Sequence, residues 1–168
     1  MMRLARISAA ACLLLVSLAS AQQGKKTGVL DSAEVKKLAP STYYFAGQSA
    51  PVQLRNSAAF RTADGKMVLA GFVDTSGYSS DIQQKYQGFL ITETKLKVEG
   101  SELAPGEYGF GFLKDGKFVI LDVAANDLFT VAYQNDDKLA RPVPLKMTED
   151  NGTYKLWAGR KSVTLAPE

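Results

Sequence analysis

"EYGFGFLKDGKFVILDV" occupies residues 107–123, and its alternation decides the fold class. Tyr108, Phe110 and Phe112 share one parity, and Gly109 and Gly111 share the other. In an extended strand, side chains of one parity project to one face. Three rings, each able to bury ~150–250 Å², therefore line one side of a strand whose other side is bare. Asp115-Gly116 is a hairpin signal, and 117–123 is a returning strand that sets Phe118 and Ile120 across from the rings. The rings are expected to face the interior. Glycine weakens a strand interior, so the Gly109/Gly111 pair points to a close approach or a bend. The candidates are a helix over 81–86, a helix over 32–38, a ring from a neighbouring strand, an external ligand, or a bend that closes a barrel.

Strand signals extend in both directions from this stretch. Residues 42–47 are aromatic and β-prone. Residues 51–62 alternate in part, with Val52 and Leu54 on one parity, and Asp64-Gly65 supplies a tight turn. "MVLAGFV" (67–73) is apolar without a break, which predicts a strand covered on both faces. Further strands are expected over 88–98, 128–134, 143–148, 153–159 and 161–166. The spacing of these about nine or ten strands suits a sandwich or barrel. No long helix separates them, so the pairing is expected to be antiparallel. Two short helices are expected. Asp31 or Ser32 caps the first, which ends before Pro40 with Val35 and Leu38 on one side. Ser80 caps the second, in which Ile82 and Tyr86 are spaced i, i+4. The fold class is all-β: an antiparallel β-sandwich or partly closed β-barrel with one or two short helices.

The run "VEGSELAPGEYGFGFLKDGKFVILDV" (98–123) resembles a strand pair of small exported bacterial proteins of unknown function. In these, a Gly-x-x-Leu-x-Pro-Gly-x-Tyr approach precedes a hairpin inside an immunoglobulin-like β-sandwich. Gly100, Leu103, Pro105, Gly106 and Tyr108 carry the resemblance. It implies an all-β exported domain and transfers no active site.

The N-terminus points to export as well. Arg3 and Arg6 precede an apolar stretch from Ile7 to Leu18, and Ala19-Ser20-Ala21 has the small-x-small form of a signal-peptidase site. The apolar run is shorter than the about 20 residues of a membrane span. Residues 1–21 are thus read as a signal peptide, 22–30 as a flexible arm and 31–168 as one β-rich domain. The destination is the periplasm or the extracellular space, with no membrane span in the mature chain.

Cleavage after Ala21 removes the one cysteine, Cys12, and two of the 20 basic residues, leaving 18 bases against 17 acids. A near-neutral chain without a concentrated basic run lacks the footprint of a nucleic-acid binder. The sequence contains no histidine. Imidazole- and thiolate-based metal sites and Ser-His-Asp chemistry are therefore excluded from the mature chain, and no cofactor is expected. Asp136-Asp137 and 149–152 have oxygen-donor composition but read as turns. An enzyme would have to use carboxylates or tyrosine. Asp74 with Asp81, or Asp122 with Asp127, are the pairs to test, with carbohydrate as the substrate class.

The segment 73–88 holds the candidate binding residues: Asp74, Thr75, Ser76, Tyr78, Ser80, Asp81, Gln84 and Tyr86. Its hydroxyls, amides and tyrosines suit a polar small molecule, a glycan or a protein partner, and loops of this length are functional or packed by their own residues. The expected function is a non-catalytic binding or envelope-associated domain. The alternatives are the carboxylate- or tyrosine-dependent enzyme and an assembly protein that pairs through an edge strand. Trp157 is core or surface according to the register of 153–159, which the sequence leaves open.

Overall fold

The computed structural model describes residues 26–168; the expected signal segment 1–21 lies outside them. The described residues form two antiparallel sheets packed face to face, and neither closes on itself. The strands, in chain order, are β1 (Gly28–Val29), β2 (Thr42–Phe45), β3 (Gln48–Arg61), β4 (Met67–Val73), β5 (Gly88–Thr92), β6 (Leu96–Val98) and β7 (Ser101–Leu103). They continue as β8 (Gly106–Phe112), β9 (Lys117–Leu121), β10 (Asp127–Ala132), β11 (Gln134–Asn135), β12 (Val143–Asp150), β13 (Thr153–Gly159) and β14 (Lys161–Pro167). The first sheet runs β1-β3-β4-β5-β8-β9-β10, with β2 also on β3. The second runs β12-β13-β14-β6-β7, with β11 on β14. The fold is a β-sandwich.

The expected hairpin is present: Phe112 stands opposite Phe118, and Phe110 opposite Ile120. These four side chains join Phe60, Val68, Ala70 and Leu90 on the inner face of the first sheet. Leu96, Leu145, Leu156, Val163 and Leu165 of the second sheet meet them. Phe60 and Tyr154 stack across the gap with ring centroids 3.6 Å apart. Burying this aromatic and aliphatic surface is the main favourable term available to the chain.

A second core covers the outer face of the first sheet. Tyr43, Phe45, Leu69, Tyr78, Tyr86, Phe89, Val119 and Leu121 pack there with Leu30 and Val35. The covering layer is built from α1 (Ser32–Leu38), β2 and the segment after β4 that contains α2 (Ser80–Lys85). Coverage on both faces explains the unbroken apolar run of β4. Val68 and Ala70 enter one core, Leu69 and Val73 the other.

Several expectations are corrected. The arm expected over 22–30 is structured in its described end, because Gly28–Val29 pairs with β3 and Leu30 is buried in the second core. The strand expected over 88–98 is broken at 93–95, where the chain leaves the first sheet at β5 and enters the second at β6. Thr92 fastens this crossing by donating to the Thr94 carbonyl at 2.6 Å. In α1 Asp31 is the cap, accepting from the Ala33 and Glu34 N–H groups; Val35 is buried, but Leu38 is exposed. In α2 Ser80 is already helical, and the cap position belongs to Ser79, whose side chain makes no capping bond. Val52 is buried while Leu54 is exposed, because β3 shifts register on β4 between Val52 and Ser57.

Candidate functional site

Both bare positions of β8 are filled by the chain itself. A Cβ on Gly109 would lie 2.5 Å from the Phe45 ring, and one on Gly111 would lie 2.2 Å from the Lys85 carbonyl oxygen. The missing side chains thus let β2 and the last turn of α2 settle directly on β8. Phe45 and Tyr86 stack at 3.8 Å, and Tyr78 meets Phe45 and Tyr86 edge-on at 6.2 and 5.3 Å. Of the candidates for that close approach, the 81–86 segment is an occupant, while the ring over Gly109 comes from β2 in the covering layer rather than from a strand beside β8.

This packing removes two residues from the expected binding set. Tyr78 and Tyr86 are buried and act as core, holding the polar segment onto the sheet. Burial, then the neighbouring Tyr78 and Tyr43, pushes the Tyr86 hydroxyl well above its ordinary value of 10.0. The Tyr78 hydroxyl donates to the Gln48 carbonyl at 3.3 Å, and the buried Tyr86 hydroxyl has no hydrogen-bond partner among the described residues. Sequence periodicity could not distinguish an outward tyrosine from an inward one in a segment without a regular repeat.

The other expected residues do not converge on one point. Ser80, Asp81 and Gln84 are exposed and line a shallow groove of about 750 Å³ together with Gln83, Lys85 and Gln87. Phe112, Leu113, Lys114 and Asp115, at the β8–β9 turn, complete it. Asp74 and Ser76 line a separate depression of about 170 Å³ with Tyr78 and residues 48–51. Thr75 belongs to a third, beside Gln53, Phe72 and Lys161. The far side of the main groove was missed as a site because Lys114-Asp115-Gly116 reads locally as a turn. The signal that could have found it is the glycine pair, which sets α2 against that end of β8.

Two glutamines in the segment have structural tasks. Gln83 donates to the Tyr78 carbonyl at 2.7 Å. Gln87 donates to the Phe112 carbonyl at 3.2 Å and accepts from the Phe112 N–H at 2.9 Å. The pairing of β5 with β8 ends at Gly88 and Phe110, so this side chain continues the ladder by one step.

The carboxylates considered for catalysis do not gather in a depression either: Asp74 and Asp81 line different ones, and Asp122 and Asp127 flank the tight turn between β9 and β10. Asp74 accepts from the Ser76 N–H at 3.0 Å, and hydrogen bonds from Ser76 hold its carboxyl below the usual range. Asp122 accepts from Ala124 and from the backbone and side chain of Asn126, and these bonds, led by the Asn126 side chain, lower it too. Asp127 pairs with Lys85 at 2.5 Å. Asp81 lines the main groove without Asp74, Asp122 or Asp127. Neither proposed pair meets in one depression, and lowered carboxyls are the opposite of what a general acid at neutral pH requires.

Trp157 lies on the outer side of β13. Tyr154 and Leu156 point inward, and the half-buried indole donates to the Thr148 hydroxyl at 2.9 Å with Lys146 over its ring. Among the described residues no helix is long and apolar enough to cross a membrane. Comparison with protein-family models, with curated proteins and with solved structures gave no match.

Proposed function

We propose that this chain is an exported, non-catalytic binding domain and that it holds a polar ligand in the groove between α2 and the β8–β9 turn. The observation that carries the reading is the character of that groove. Ser80, Asp81 and Gln84 are solvent-exposed on one wall, and Lys114 and Asp115 stand on the other. Hydroxyl, amide and charges of both signs around an apolar floor that includes Phe112 and Leu113 suit a neutral or zwitterionic ligand with an apolar face, with a short glycan as the chemistry of choice. Tyr78 and Tyr86, buried in the second core on either side of α2, hold this wall against the sheet and lower the ordering cost of binding. Export is supported by the Arg3/Arg6, apolar and Ala19-Ser20-Ala21 arrangement of the N-terminus, and the periplasm or the extracellular space is the expected destination.

The test is a binding screen with neutral and zwitterionic oligosaccharides, repeated with Asp81→Ala and Gln84→Ala. Both side chains are exposed, so folding is expected to survive. Binding that weakens in both variants supports the groove. Ligands that bind both variants as they bind the parent discard it. N-terminal sequencing of the protein recovered from a secreting host is expected to begin at Gln22.

A further inference from the structure

The last strand of the first sheet is an open edge, and its main-chain polarity can be read from one bond. The Tyr133 N–H donates to the Gly116 carbonyl at 3.1 Å, in the register that sets Val131 opposite Phe118 and Phe129 opposite Ile120. Antiparallel ladders alternate bonded and non-bonded pairs. Phe129 and Val131 therefore direct their main-chain groups to β9, while Thr130 and Ala132 direct theirs away from the sheet. Among the described residues no hydrogen bond reaches those outward groups.

Other edges of the sandwich are blunted. β1 and β11 have two residues each, β7 has three, and β2 has four and follows Pro40 closely. β12 carries Pro144, Lys146 and Glu149. β10 carries a register shift on β9 between Asp127 and Phe129, but beyond it residues 129–133, "FTVAY", pair regularly and contain no charge, proline or glycine. Such an edge is a template for another strand.

We infer that β10 pairs antiparallel with β10 of a second copy of this chain, about a two-fold axis at Thr130. In that register the outward groups of Thr130 meet their own counterparts. Phe129 then falls opposite Val131, so apolar side chains meet on the inner face. No like charges come together, because residues 128–133 carry none. The self-match favours a second copy over a foreign peptide, since no β10 residue lines the main groove or either of the two depressions described above, where alternate side chains of another protein could be selected. The result is an isologous dimer with one sheet running through both copies.

Sedimentation velocity on the purified chain at rising concentration is expected to show a species of twice the chain mass. Thr130→Pro removes an outward N–H and leaves the β9 ladder intact; a monomer with unchanged far-ultraviolet circular dichroism is expected. Thr130→Lys sets two positive charges at the axis and is also expected to be monomeric. Mixing it with Thr130→Glu is expected to restore the dimer. Should the proline variant fail to fold, the lysine and glutamate pair decides. A parent that stays monomeric at its highest soluble concentration overturns the inference, whether or not another protein's strand binds there. A dimer that survives Thr130→Pro or Thr130→Lys overturns it equally.

Discussion

A methyl group on Gly111 would sit 2.2 Å from the carbonyl oxygen of Lys85: the C-terminal end of α2 rests on the backbone of β8. Because the obstacle is main chain, it cannot rotate aside. Gly111→Ala is therefore expected to destabilise the protein by about 1–3 kcal/mol, measured by urea denaturation. Amide exchange should accelerate in α2 more than in β12–β14. Gly77→Ala is the control, since among the described residues nothing lies within 4 Å of its added carbon. Equal stability of the two variants would show that α2 is not seated as described.

Tyr86 makes the opposite prediction. Its hydroxyl is buried with no partner among the described residues, so Tyr86→Phe keeps the ring stack on Phe45 and removes an unsatisfied polar group. Stability at neutral pH is expected to stay level or rise. The sign at high pH follows from linkage. The native hydroxyl titrates above its ordinary value of 10.0, so above that pH the unfolded chain loses a proton that the native chain keeps. The stabilisation is complete below pH 10.0 and declines as pH rises towards the native value, by about 1.4 kcal/mol per pH unit for one proton. Denaturation curves at alkaline pH should fall less steeply for the phenylalanine variant. Parallel curves would contradict this.

Gln87 and Phe112 form a two-bond bridge that a carboxylate cannot reproduce. Gln87→Glu retains the acceptor for the Phe112 N–H but loses the donor to its carbonyl, and Gln87→Ala loses both. The expected order of stability is glutamine, then glutamate, then alanine, with about 1–3 kcal/mol for the alanine variant. Thermal unfolding of the three proteins at neutral pH checks the order.

The inter-sheet stack of Phe60 on Tyr154 offers a test of the first core. Phe60 is fully buried, and Phe60→Ala leaves a cavity between two sheets that can close only partly. A loss of about 3–5 kcal/mol is expected, read from the denaturant midpoint. A loss well under 1 kcal/mol would show that the sheets repack freely there.

Legibility in the sequence followed period. Strand parity is a local property, so the inward facing of Tyr108, Phe110 and Phe112 and the both-face coverage of β4 could be read directly. Turn chemistry was equally local at Asp64-Gly65 and Asp115-Gly116. The crossing at 93–95 was not readable, because "GFLITETKLKV" keeps its strand composition while changing sheets. The candidate groove was half readable. Residue type pointed to Ser80, Asp81 and Gln84, which line it, but the burial of Tyr78 and Tyr86 was not readable, since in an irregular segment type does not determine facing.

Residue order alone dictated an all-β chain with a thiol-free and imidazole-free body, and it marked Gly109 and Gly111 as places of contact. Tertiary structure decided what made the contact. Whether a bare glycine face meets a ligand, a bend or the chain's own helix depends on residues more than twenty positions away, brought back by packing of rings whose partners no local pattern specifies. The same packing turned two polar-tipped tyrosines into core and left the open wall of the groove to shorter side chains.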